Sequence, residues 1–188
     1  KGYERDDEGN ILINENGLPE TTSDYSVKAG NFNPDWSGGL QNRFNYKNFS
    51  MSFLIDARIG GEIFSFTRSV LSYTGSLEST LAGRDGFVVD GVVATRDDDG
   101  NIVSTTPNTT TVTAEEYWTA IAGSSPNSAE DFILDATNIR LREFVLGYTF
   151  PSSLLDKTPF ARASLSLVGR NLFFFMNKAK YFDPEQAA

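Results

Sequence analysis

The chain has 188 residues, 25 of them acidic and 16 basic, and the resulting net charge of -9 argues against nucleic acid as a partner. It contains neither cysteine nor histidine, which excludes disulfides, thiolate metal sites, the Ser-His-Asp arrangement and most zinc centres. No stretch approaches the roughly 18 to 20 apolar residues of a membrane helix. No basic region leads into an apolar core at the start, so no signal peptide is expected. Barrel strands escape both tests, because they carry lipid-facing residues at every second position. With 15 Phe and 7 Tyr in the chain, periodicity has to decide.

Residues 1–36 are polar and rich in turns. Glu8-Gly9-Asn10 and Glu15-Asn16-Gly17 flank Ile11-Leu12-Ile13, which reads as a small hairpin outside any core. The phrase Arg5-Asp6-Asp7-Glu8-Gly9-Asn10-Ile11 returns as Arg96-Asp97-Asp98-Asp99-Gly100-Asn101-Ile102. Two occurrences make one turn solution used twice, not a repeat architecture. Gly38 to Tyr46 is a strand with Leu40, Phe44 and Tyr46 on one face, and only Lys47-Asn48 separates it from the next. Every odd position from Phe49 to Ile59 is apolar, while Ser50, Ser52, Asp56 and Arg58 at even positions are polar and Leu54 is the exception. That period of two fits a strand, since a helix would scatter the odd residues around its circumference. After Gly60-Gly61 the apolar residues move to even positions at Phe64 and Phe66, the change of phase a bulge produces. Counted through to Arg68, the expectation is one strand of about 20 residues, roughly 65 Å long. A membrane strand needs only about 9 to 11.

Residues 69–136 read as a long interruption crowded with Gly, Ser, Thr, Asp and Pro. One short helix is expected from Ala114 to Ala122, with Thr113 as its cap and Glu115 and Glu116 in its first turn. Strand character resumes over 137–150, where Ile139 and Leu141 alternate with Asn138, Arg140 and Arg142. Phe144, Leu146, Tyr148 and Phe150 then carry the apolar face until Pro151. Phe160 to Phe174 forms a further strand, with Ala161, Ala163, Leu165 and Leu167 alternating with Arg162, Ser164 and Ser166.

The expected organisation is an external loop with a small hairpin (1–36), a wall hairpin (37–68), a long external loop with a short helix (69–136), a second wall hairpin (137–174) and the start of another external loop (175–188). Short turns alternating with very long loops is the asymmetry of outer-membrane barrels. A loop of that length inside a small soluble domain would count against the strands themselves. Phe44, Tyr46, Phe49, Tyr148 and Phe150 gather at the short-turn ends as an inner aromatic girdle. The fold class is therefore all-β, a segment of an antiparallel transmembrane β-barrel with long extracellular loops.

Four phrases carry a resemblance. They are Asn33-Pro34-Asp35-Trp36 with Gly38-Gly39; Phe53-Leu54-Ile55-Asp56-Ala57-Arg58-Ile59-Gly60-Gly61-Glu62-Ile63-Phe64-Ser65; Ala136-Thr137-Asn138-Ile139-Arg140-Leu141-Arg142-Glu143 leading to Leu146-Gly147-Tyr148-Thr149-Phe150-Pro151; and Gly169-Arg170-Asn171-Leu172-Phe173-Phe174 before Phe182-Asp183-Pro184-Glu185. In this order they resemble the C-terminal region of the SusC/RagA family of TonB-linked transporters, over roughly residues 30 to 185. The resemblance implies a barrel of about 22 strands with a plugged lumen, of which this chain supplies about four. It implies import of oligosaccharides or peptides, TonB engaged through a segment outside these residues, and a SusD-like surface lipoprotein as a lid. It also implies contact with outer-membrane lipid, in the outer membrane of a Gram-negative bacterium of the Bacteroidota type.

Candidate residues follow from the alternation. With Ile139 and Leu141 toward lipid, Arg140 and Arg142 face a polar lumen, and Asp56, Arg58 and Arg170 are wall residues of the same kind. Their expected partners are carboxylates of a plug or a neighbouring strand. Tyr73, Tyr117 and Trp118 fall in the long loop, where aromatic rings stack on sugars, anchor a lid, or pack inside the loop. No catalytic residue and no cofactor are expected. Asp97, Asp99 and Asn101 have calcium-loop spacing, but Asn108 stands where the bidentate Glu should fall, so a solvated turn is preferred there and at Asp6, Glu8 and Asn10. The rival readings are a soluble carbohydrate-binding β-sandwich, a glycoside hydrolase for which no carboxylate pair stands out, and a passive porin.

Overall fold

The structure is a computed structural model that describes residues 1–24, 28 and 30–185. In chain order its elements begin with β1 (Trp36–Tyr46), β2 (Phe49–Ile59), β3 (Glu62–Phe64), α1 (Phe66–Tyr73), β4 (Phe87–Val88), β5 (Val92–Arg96) and β6 (Ile102–Pro107). They continue with β7 (Thr111–Val112), α2 (Ala114–Ile121), β8 (Ile133–Asp135), β9 (Asn138–Thr149), α3 (Ser152–Leu155) and β10 (Ser164–Asn177). Strands dominate and the helices are short, so the chain is all-β. It divides into a sheet unit, residues 32–62 and 135–186, and a loop unit, residues 1–31 and 63–134.

The sheet unit is four antiparallel strands in the order β1-β2-β9-β10. Tyr46 pairs with Phe49 across a two-residue turn in which Lys47 takes φ 51°, a left-handed conformation that favours glycine. Register places Phe49, Met51 and Phe53 of β2 opposite Tyr148, Leu146 and Phe144 of β9, then Ile55 and Ala57 opposite Leu141 and Ile139. The apolar residues of β9 therefore change from even to odd numbers along one face. The cause is a bulge: Leu54 pairs with Glu143 and Ile55 with Leu141, leaving Arg142 extra. On the other side β10 shifts register between Arg170 and Phe173, where Asn171 adopts φ 48°. These irregularities explain why alternation fades from the sequence near Phe174 while the strand continues to Asn177.

Expectation and structure part at Gly60-Gly61. Both glycines have positive φ, 76° and 79°, and the strand that began at Phe49 stops at Ile59 instead of bulging onward. Beyond them β3 joins a separate two-stranded sheet with β8. Ser65 then accepts the Arg68 amide and caps α1, so Phe66 and Arg68 are helical. No 20-residue strand forms.

Most of residues 69–136, read from sequence as a long loop, belong with residues 1–31 and 63–68 to a unit that has its own core. Tyr3, Ile121, Ala122 and Phe132 form one buried cluster, and Ile13, Val89 and Val112 form another. The expectation of a hairpin outside any core is overturned at Leu12 and Ile13. Both are buried, because Leu12 pairs in parallel with Val92 and the Ile13 amide donates to the Val92 carbonyl at 2.8 Å. Helix α2 starts at Thr113, whose hydroxyl accepts the Glu116 amide while the Glu116 carboxylate accepts the Thr113 amide, a reciprocal capping box. The echoed phrases fold as one turn twice. Asp6 accepts from the amides of Glu8 and Asn10, Asp97 from those of Asp99 and Asn101, and Arg5 and Arg96 reach the carbonyls of Gly9 and Gly100. Hydrogen bonds from Asn10 and Asn101 hold both carboxyls below their usual range.

Candidate functional site

Two surfaces of the sheet unit bear on function. On one face, Trp36, Leu40, Phe44 and Tyr46 of β1 lie beside the odd residues of β2, the apolar set of β9, and Leu165, Leu167, Phe173 and Met176 of β10. Leu165 and Leu167 are 68% and 69% exposed, and no residue of the four strands contributes to the apolar core. A face this broad left bare is not how a water-soluble sheet is built.

The opposite face carries charge. Asp56 pairs in register with Arg140, and Arg142 is the extra residue at the bulge of β9 against β2. Arg142 donates through Nη2 to Asp56 Oδ2 at 2.5 Å and to Glu185 Oε1 at 2.6 Å, and through Nη1 to Glu185 Oε2 at 2.8 Å. Arg140 donates to Asp183 Oδ1 at 2.5 Å and Glu185 Oε2 at 3.3 Å, and its guanidinium lies 4.1 Å over the ring of Phe174. Its side chain is only 4% exposed, so the paired carboxylates and the ring are what make its burial tolerable. Arg58 donates to the Phe32 carbonyl and stacks on the Phe32 ring. Hydrogen bonds from Arg142 hold the Glu185 carboxyl below the usual carboxylate range.

Asp56, Arg140 and Arg142 thus come together, Arg58 occupies the same face, and Arg170 stands apart. Arg170 is 75% exposed in its side chain and, among the described residues, paired only with Glu143, at 3.1 Å. The neighbouring-strand carboxylate expected for the arginines is Asp56. Sequence reasoning missed the other partners, Asp183 and Glu185, which lie 43 to 45 residues away in a segment that returns over the polar face. Their phrase Phe182-Asp183-Pro184-Glu185 was a signal in the sequence, though its spacing named no partner.

In the loop unit the three aromatic candidates separate. Tyr117 packs within the core, edge-on to Phe87 at 5.5 Å, and its hydroxyl meets that of Tyr3, which donates to Asp131. Burial pushes both phenols above their ordinary value. Tyr73 and Trp118 instead line one cleft with Arg84 and Glu115. Asn108 braces a turn, donating to the Val89 carbonyl and accepting the Thr110 amide. Among the described residues no helix is long and apolar enough to cross a membrane, which says nothing of strands.

Two proteins of Formosa agariphila are similar to this chain. TonB-dependent receptor P3 is 28% identical over 155 residues, 82% of the chain. TonB-dependent receptor P39 is 27% identical over 174 residues, 88% of the chain. The chain resembles TonB-dependent receptors across most of its length. It spans only 13% and 15% of the lengths of these two relatives. No family model matches.

Proposed function

We propose that this chain is part of a TonB-dependent importer in the outer membrane of a Gram-negative bacterium of the Bacteroidota type, and that it has no catalytic role. The observation that carries the reading is the bare apolar face of the β1-β2-β9-β10 sheet, set opposite a face of paired charges. Lipid against one face and a polar lumen against the other is the arrangement a barrel wall requires. A soluble sandwich would cover the apolar face with a second sheet, and none of the described residues does so. Similarity to two TonB-dependent receptors over most of the chain supports the same assignment.

In this reading the sheet is four strands of a SusC/RagA-type barrel of about 22 strands. Asp56, Arg58, Arg140, Arg142 and Arg170 line its lumen side, and the loop unit lies outside the cell. There it meets a SusD-like lipoprotein lid and an oligosaccharide or peptide cargo, while TonB engages a part of the protein beyond these residues. Intact mass of the native polypeptide after detergent extraction of outer membranes tests the assignment. A species on the order of 100 kDa that co-purifies with a lipoprotein is the expected result. Recovery of a 20.7 kDa soluble protein without detergent would overturn it.

A further inference from the structure

A cleft of about 590 Å³ opens in the loop unit, walled by Tyr73, Arg84, Glu115, Trp118 and Thr119 with Ser72 in its lining. That volume lies within the roughly 300 to 1,000 Å³ of small-molecule sites. Its aromatic walls are fixed in advance. Trp118 packs edge-on against Tyr117 at 5.1 Å and lies 6.5 Å from Phe132 in the core. Tyr73 ends α1, and its ring passes Gly123 so closely that a Cβ there would stand 3.3 Å from it. Ser69 locks the two helical segments, donating to the Gly123 carbonyl at 2.9 Å and accepting the Gly123 amide at 3.1 Å. Rigid walls reduce the ordering cost of binding.

The polar groups divide into spent and free. The hydroxyls of Thr74, Thr80 and Thr119 donate to the carbonyls of Leu71, Leu77 and Glu115. Arg84 and Glu115 are opposite charges on one cleft, yet neither is ion-paired among the described residues. Ser72, 1% exposed, has a hydroxyl with no hydrogen-bond partner. The cleft therefore offers two ring surfaces, one strong donor fork and one strong acceptor, with the unpartnered Ser72 hydroxyl buried in its wall. Among the described residues no Leu, Ile, Val, Met or Phe lines it, so they give it no apolar socket for a peptide side chain.

We propose that this cleft binds a sugar ring of an oligosaccharide, stacked on Tyr73 and Trp118 and hydrogen-bonded by Arg84 and Glu115. A pyranose presents an apolar C–H face to the rings and neighbouring hydroxyls that both accept from a guanidinium and donate to a carboxylate. Placing that sugar in the cargo rests on the importer reading; the chemistry of the cleft does not.

The test uses the full-length protein extracted in detergent. It is applied to an array of malto-, laminari-, xylo- and mannohexaose and oligogalacturonate, with trialanine and a dodecapeptide alongside, and the strongest ligand is then titrated by calorimetry. At least one oligosaccharide binds, and Tyr73→Ala and Arg84→Ala each weaken it about five- to tenfold. Glu115→Gln weakens it severalfold, and Trp118→Phe, which keeps the core packing, loses less than Tyr73→Ala. All four variants should melt with the parent. Parental affinity in every variant overturns the cleft while leaving the importer assignment intact. Binding of the peptides alone, or of nothing on the array, overturns the sugar. Failure of the importer assignment appears separately, as a protein absent from the outer membrane.

Discussion

The two units of this chain solve the same problem in opposite directions. The loop unit hides its apolar residues, with Ile121 and Phe132 both at 0% exposure. The sheet unit turns its apolar residues outward and draws its arginines onto the other face, where Arg140 is nearly sealed among Asp183, Glu185 and Phe174. On the barrel reading proposed above, each arrangement suits a different solvent. A core such as the loop unit's gains by removing apolar surface from water. A bare face like that of the sheet gains nothing in water and loses nothing in hydrocarbon. On the same barrel reading, the loop unit is built for water and the sheet unit for lipid.

The sharpest way to break this contrast is a pair of truncations. Phe132→Ala should destabilise the loop unit by about 3 to 5 kcal/mol through the cavity it leaves, while Leu167→Ala on the sheet face should cost far less. Hydrogen exchange of each unit, in the intact protein, separates the two effects. Charge insertion comes next. Leu167→Arg should cost about 2 to 4 kcal/mol if its face lies in lipid, and Val103→Arg, on an exposed strand of the loop unit, should stay within about 0.5 kcal/mol. Guanidinium unfolding from lipid vesicles measures both, and equal costs would erase the distinction between the faces.

The polar face should respond to acid. Because the Glu185 carboxyl is held below its ordinary range when folded, its contribution is complete above the unfolded carboxylate value of about 4.3. It is lost as pH falls through the lower folded value. Exchange protection of residues 178–185 should therefore fall at acid pH in the parent, and Glu185→Gln should start lower and flatten the profile. The smallest effect lies at the tight turn, where Lys47→Gly should relieve the left-handed backbone and stabilise by about 0.5 to 1 kcal/mol, read as a shift in unfolding midpoint.

What was legible in the sequence follows from how local each signal is. Period-two alternation makes Phe49 to Ile59 legible as strand, because every contact that selects it repeats along the strand, but not its end, since the expected strand runs on to Arg68 while β2 stops at Ile59. The cap at Thr113 was equally readable, since the box closes within three residues. Phe64 and Phe66 misled: their spacing continues a strand pattern, and only the Ser65 cap and two positive-φ glycines reveal a helix. Leu12 and Ile13 could not be placed in a core whose other wall, Val92, lies about 80 residues on. The same distance effect hid Asp183 and Glu185 from Arg140 and Arg142, although Asp56 and the two arginines themselves could be assigned to one face.

The paired segments β3 and β8 carry a consequence for how such a protein diversifies. The chain leaves the sheet at Gly61 and rejoins it at Ala136, where the Ala136 amide donates to the Gly61 carbonyl at 2.9 Å. Most of what lies between folds with residues 1–31 into the loop unit. A lineage that keeps the β3-β8 stem and exchanges the residues between its two strands together with their packing partner, residues 1–31, therefore leaves the strand register outside the stem unchanged. On the importer reading proposed above, recognition is then exchanged as a cassette of two segments while the barrel wall stays under its own, separate selection.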